Sequence, residues 1–320
     1  MNMRRIFMGF LFAAFVFGQA YAAGGGGAIR KVSLEEVLSI GGLEDQKLFQ
    51  WTGVATDGAG NIYILDAMDY SLKKFGPDGR LLKKAGRKGQ GPGEFMAPRL
   101  LACSGERLYA TDQNVFGIYV FDRELRFLEK IPCPSLILAL AALGDGRLAV
   151  AVMGMASPGK VMVLDADGRE LSAFVPAGGP GQGVLMDSMS LAQDKDGQFY
   201  VAFLFRDSVE KWTQEGNRLW SKAFLGQKKI ATTEVQSLTL PSETCFKDVA
   251  LDAFGHVFVL GGKLSKHPSR DVYVLDKYGA LLATFTLPDP SHCLHIDSRN
   301  YLYARANDGI TLKKYRIIYD

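Results

Sequence analysis

The chain has 320 residues, with 37 Lys and Arg against 34 Asp and Glu and a formal net charge of +3. So even a balance leaves no electrostatic footprint for nucleic acid or an anionic membrane, and neither is expected as a partner. A length of this order ordinarily implies two domains, except where one unit is repeated along the chain.

Residues 1–22 read as an address. Arg4 and Arg5 form a charged lead, Ile6 to Gly18 an apolar run, and Ala20-Tyr21-Ala22 a small-residue cleavage site, the layout of a secretory signal peptide. The run is short for a bilayer span, a stretch of Gly24 to Gly27 follows, and no Cys stands at the cleavage point to carry a lipid. Residues 23–320 are therefore expected to form one exported domain, periplasmic or extracellular, with no transmembrane segment after cleavage.

Past the leader, Ile29 to Ile40 alternates loosely, although Ser33-Leu34-Glu35-Glu36 would equally cap a short helix. Val54 to Phe95 then sets the pattern for the rest. Asp57-Gly58-Ala59-Gly60 is a turn, Ile62 to Asp66 a strand, Leu72 to Phe75 another, and Pro77-Asp78-Gly79 a second turn before Leu81-Leu82. Strands equivalent to Ile62-Tyr63-Ile64-Leu65 recur at Leu108, Leu148, Phe199, Val257 and Tyr301, about 40 to 60 residues apart, the spacing of propeller blades. Each follows a Gly, Asp or Asn turn and precedes a second hairpin. A single meander of this kind cannot bury both its faces and needs copies of itself as neighbours.

The last copy stops at Leu312 to Tyr319, one strand short. Ile29 to Leu34 is the natural donor, and closing the ring with it removes two sheet edges. The expected fold is all-β: a six-bladed β-propeller of four-stranded blades, closed by an N-terminal strand. The chain resembles NHL-repeat six-bladed propellers, most clearly in Val54 to Asp66 and in Gly89-Gln90-Gly91-Pro92-Gly93-Glu94-Phe95, with a weaker echo at Gly178 to Gly183. The resemblance implies a fold; similar proteins include enzymes, ligand sensors and docking platforms.

Aligning the copies on the turn Asp puts Ala55, Leu101, Ala142, Ala192, Ala250 and His295 in one column, and Gly53, Arg99, Leu140, Ser190, Asp248 and Cys293 two positions earlier. Both columns belong to strands expected to line the central channel. Arg99 and Asp248 fall in opposite blades. They either satisfy each other, or Arg99 anchors the carboxylate of a peptide or small ligand. His292 and His295 also approach the channel, too few for a three-His zinc site. Loops between second and third strands bring Asp66, Asp112, Asn114 and Arg206 to the same rim. There Asp and Asn either close their own turns or face a ligand. No metal site and no cofactor are expected; a divalent cation stays open as an alternative, for which several rim oxygens would have to converge, and linear spacing does not show that. Gly86 to Gly91 lacks the ending and the helix of a phosphate loop. Four cysteines allow three pairings, of which Cys245 with Cys293 joins adjacent blades. The long connections 176–188 and 226–244 are candidate functional loops, with Met186 an adaptable surface and Met189 core.

The expected function is binding of a protein, peptide or small molecule on the channel-mouth face. The alternatives are a metal-dependent hydrolase or lyase using axial Asp and Asn residues, and an assembly scaffold.

Overall fold

The computed structural model describes residue 29 and residues 31–45, 47–133, 135–153, 159–176, 187–226, 230–235 and 238–320. The leader, the Gly178 to Gly183 echo and Met186 lie outside the described residues. Strand β1 is Val32–Ile40. Blade 1 follows as β2 (Trp51–Thr56), β3 (Ile62–Asp66), β4 (Ser71–Phe75) and β5 (Leu81–Ala85). Blade 2 is β6 (Pro98–Ser104), β7 (Arg107–Asp112), β8 (Ile118–Asp122) and β9 (Phe127–Ile131). Blade 3 is β10 (Ile137–Ala142), β11 (Leu148–Val152), β12 (Lys160–Leu164) and β13 (Glu170–Phe174). Blade 4 is β14 (Met189–Gln193), β15 (Phe199–Phe203), β16 (Val209–Trp212) and β17 (Arg218–Lys222). A hairpin of β18 (Thr232–Val235) and β19 (Leu238–Pro241) interrupts the long connection to blade 5. Blade 5 is β20 (Phe246–Leu251), β21 (Val257–Gly261), β22 (Asp271–Leu275) and β23 (Leu281–Thr286). Blade 6 has only β24 (Leu294–Ile296), β25 (Tyr301–Arg305) and β26 (Leu312–Tyr319) from the C-terminal end.

Its fourth strand is β1, giving the sheet order β1-β26-β25-β24. The antiparallel register runs from Val32 opposite Tyr319 to Ile40 opposite Leu312. Ser33 to Glu36 is therefore strand, because its partner offers a full ladder that an isolated helical turn cannot match. The other five blades are four-stranded meanders in chain order.

The core explains why the second strands read as unbroken apolar runs. Residues of β3, β11, β15 and β21 are buried along their whole length, since each blade is covered on both faces by its neighbours. Six clusters of buried residues each straddle one blade junction. In β3, Ile62 and Ile64 pack toward blade 6 and Tyr63 and Leu65 toward blade 2, the period-two consequence of the pleat. The Gly89 to Phe95 stretch is the link between blades 1 and 2. Its Phe95 is fully buried against Tyr119 and Phe121, with ring centres 5.6 and 5.9 Å away. Met189 is core, as expected.

The turn aspartates have a second task. Asp57 accepts from the amide of Asn61 at 2.9 Å and from the Tyr63 hydroxyl at 3.0 Å. Asp194 accepts from Tyr200 at 3.2 Å, and Asp297 from Tyr303 at 2.9 Å. In blade 5 the equivalent position is Phe258, and Asp252 instead accepts from the Tyr319 hydroxyl of β26 at 2.6 Å.

Candidate functional site

In an antiparallel meander the first residues of the innermost strand and the last residues of the second strand share one end of the sheet. That end, in all six blades, forms the mouth face. Arg99 near the start of β6, Lys247 and Asp248 near the start of β20, His292 just before β24 and Arg305 at the end of β25 all lie on it. The two aligned columns do not simply line the channel. Ala55 and Ala250 are buried between blades, and a Cβ on Gly53 would sit 2.9 Å from Leu101. The faces of a blade meet its neighbours, so only the inner edge and the strand ends reach the axis.

Arg99 is half-buried and makes no hydrogen bond or ion pair with any described residue; burial holds its guanidinium below the usual value. Asp248 does not pair with it. Its Oδ2 accepts from the Leu294 amide at 2.8 Å, and its Oδ1 accepts from the Val249 amide at 2.9 Å and from the Ser190 hydroxyl. It thereby joins blades 4, 5 and 6. Burial pushes its carboxyl up to about 6, against the opposing pull of those donors.

His295 sits between blades 6 and 1, with Nε2 2.8 Å from the Thr56 hydroxyl, and burial pushes it down to about 4. His292 is exposed at the mouth, its Nδ1 2.8 Å from Lys247 Nζ. Desolvation, and then the charges of Lys247 and Arg305, bring it to about 4. Since the ammonium can only donate, Nδ1 is the acceptor and the imidazole is neutral with its proton on Nε2.

The rim aspartates are engaged by their own blades. Asp66 accepts from the amides of Phe49 and Gln50 at 2.8 and 3.0 Å and pairs with the buried Lys73 at 2.8 Å. Asp112 accepts from the amides of Met96, Ala97 and Asn114 at 2.6, 3.0 and 2.9 Å, and Asn114 itself is exposed. Arg206 lies over the Phe203 ring, 3.7 Å from its centre, and bonds to Asp187 at 3.1 Å. Among the described residues no three His, Cys, Asp or Glu side chains gather as a metal cage. Cys103, Cys133, Cys245 and Cys293 are free thiols, so the Cys245 to Cys293 pairing is not formed.

Sequence reasoning missed Lys247 and Arg305. A signal for the second was present: the last residue of the second strand is Asp66 in blade 1 and Asp112 in blade 2, but Arg305 in blade 6. On the opposite face, a concavity of about 490 Å³ between blades 1 and 2 is also charged. Its groups pair internally, as Lys74 with Glu124 and Arg126 with Asp122, both at 2.6 Å.

Residues 44–248 match the DUF5128 family, described as a 6-bladed beta-propeller. The chain belongs to this family. No curated protein matches the sequence. Among solved structures, a member of the duf4221 family from Bacteroides vulgatus superposes with a TM-score of 0.60 at 10% identity, over 91% of this chain and 99% of that one. The virginiamycin B lyase of Staphylococcus aureus gives 0.57 at 10% identity, over 90% and 100%. The PQQ-bound aldose sugar dehydrogenase of Streptomyces coelicolor gives 0.58 at 12%, over 91% and 100%. At such identities the likeness is one of fold. No described helix of this propeller is long and apolar enough to cross a membrane.

Proposed function

We propose that this propeller is an exported binding protein of NHL-like type, which takes an acidic protein, peptide or small-molecule ligand on its mouth face. Arg99 carries the reading. A half-buried guanidinium without an acceptor among the described residues has lost water and gained nothing in exchange. A ligand carboxylate would supply two acceptors in the geometry that a guanidinium fits. The enzymatic alternative gains no support from the rim, where Asp66 and Asp112 already accept backbone hydrogen bonds. The test is a binding panel of peptides and small acids, each set beside its amide. Free acids should bind more tightly than amides, and Arg99→Ala should weaken them at least about tenfold, the cost of one charge-assisted bond. Tight acid binding undiminished in Arg99→Ala would dispose of this reading.

A further inference from the structure

We infer that Lys247, His292 and Arg305 form a separate oxyanion-binding subsite where blades 5, 6 and 1 meet, for a carboxylate, phosphate or sulfate group. The inference rests on the mouth being the binding face, but not on Arg99. Its first support is a set of donors without acceptors. Lys247 gives one N–H to His292 Nδ1 at 2.8 Å and keeps the others, and His292 presents Nε2–H. Arg305 uses Nη1 on the Trp51 carbonyl at 3.1 Å and has donors to spare.

The second support is the lack of counter-charge. Neither Lys247, His292 nor Arg305 forms an ion pair with a carboxylate among the described residues, and the adjacent Asp248 is occupied by Ser190, Val249 and Leu294. Lys247 is instead disfavoured as a cation by burial and then by Arg305 and Lys263. An oxyanion would relieve that repulsion and fill the free donors together.

The third support is preorganisation. The Arg305 amide bonds to Ser291 Oγ at 2.9 Å, its guanidinium stands 6.0 Å from the centre of the Trp51 ring, and Ser291 is fully buried and also donates to the Cys293 carbonyl at 2.9 Å. The loop carrying His292 is therefore tied to the strand carrying Arg305 before any ligand arrives.

Inorganic phosphate, sulfate and succinate, each titrated against chloride at matched ionic strength, test this by thermal shift and by the NMR titration of the His292 ring. At least one should give a saturable stabilisation and raise the pH at which His292 titrates. Lys247→Gln should weaken that response at least tenfold, and the shift of the His292 ring should persist in Arg99→Ala. Saturation by phosphate or sulfate alone would identify a tetrahedral oxyanion; saturation by succinate alone, a carboxylate. No saturable response from any of the three overturns the subsite, as does a response unchanged in Lys247→Gln. A response removed only by Arg99→Ala also overturns it while upholding the Arg99 reading. Should Arg305→Gln fail to fold through loss of the Trp51 contact, Lys247→Gln and the His292 titration still decide the matter.

Discussion

Asp248 takes hydrogen bonds from Ser190 on blade 4, from the Leu294 amide on blade 6 and from the Val249 amide beside it. With its carboxyl raised to about 6 from an ordinary 3.8, the folded protein holds the Asp248 proton more tightly than the unfolded chain does. This group therefore adds stability below about pH 4 and loses it as pH rises from there to about 6. Asp248→Asn resembles the protonated form. In denaturant melts at pH 4.5 and pH 7.5, the wild type should lose ground against Asp248→Asn on going to the higher pH, by about 1–3 kcal/mol. A difference independent of pH would refute the assignment. The sequence placed Asp248 correctly on an innermost strand but not its partners on the neighbouring blades, Ser190 and Leu294, which lie more than forty residues away in either direction and are fixed only by blade packing. Lys247 was hidden for the same reason, an ordinary cation at a strand end until the packing of blades 5 and 6 brings it beside His292.

At the scale of elements, β1 is the clearest dependence. It supplies the outer strand of blade 6 and buries Val32 and Ile40. Deleting residues 29–40 exposes β26 as an edge and removes apolar contacts worth about 1.5–3 kcal/mol for each buried side chain. The truncated protein should melt well below the same chain with these residues kept, by thermal scanning, and an unchanged midpoint would contradict the closure. The Asp and Tyr pairs of the turns offer a finer comparison. Tyr303→Phe removes a hydrogen bond to Oδ2 of the buried Asp297, leaving that oxygen with the Arg299 guanidinium at 3.7 Å, and should cost about 1–3 kcal/mol. Tyr109→Phe should cost less, because Cys103 stands where that Asp would be. Equal losses would deny the turn aspartates this role. These elements were largely legible, since Asp-Gly turns and apolar strands recur with the blade. The β18 and β19 hairpin was not, because Thr232 to Pro241 has neither the turn nor the periodicity of the repeat.

For the whole molecule, the fold was more readable than the site because it is specified six times over. A degenerate copy such as Leu148 to Val152 is rescued by its better neighbours, whereas Arg99 or Arg305 occurs once and has no internal copy to be checked against. Fold likeness to a lyase and to a dehydrogenase adds nothing to that, as the shared feature is the ring. The closing pair of strands has one more effect. Lys31 and Asp320 exchange backbone hydrogen bonds of 3.3 and 3.0 Å, and β26 begins at the mouth and ends beside the Asp252 turn on the far side. A tether, tag or surface attached at either of these residues holds the molecule by its back, leaving the mouth turned outward to whatever diffuses past.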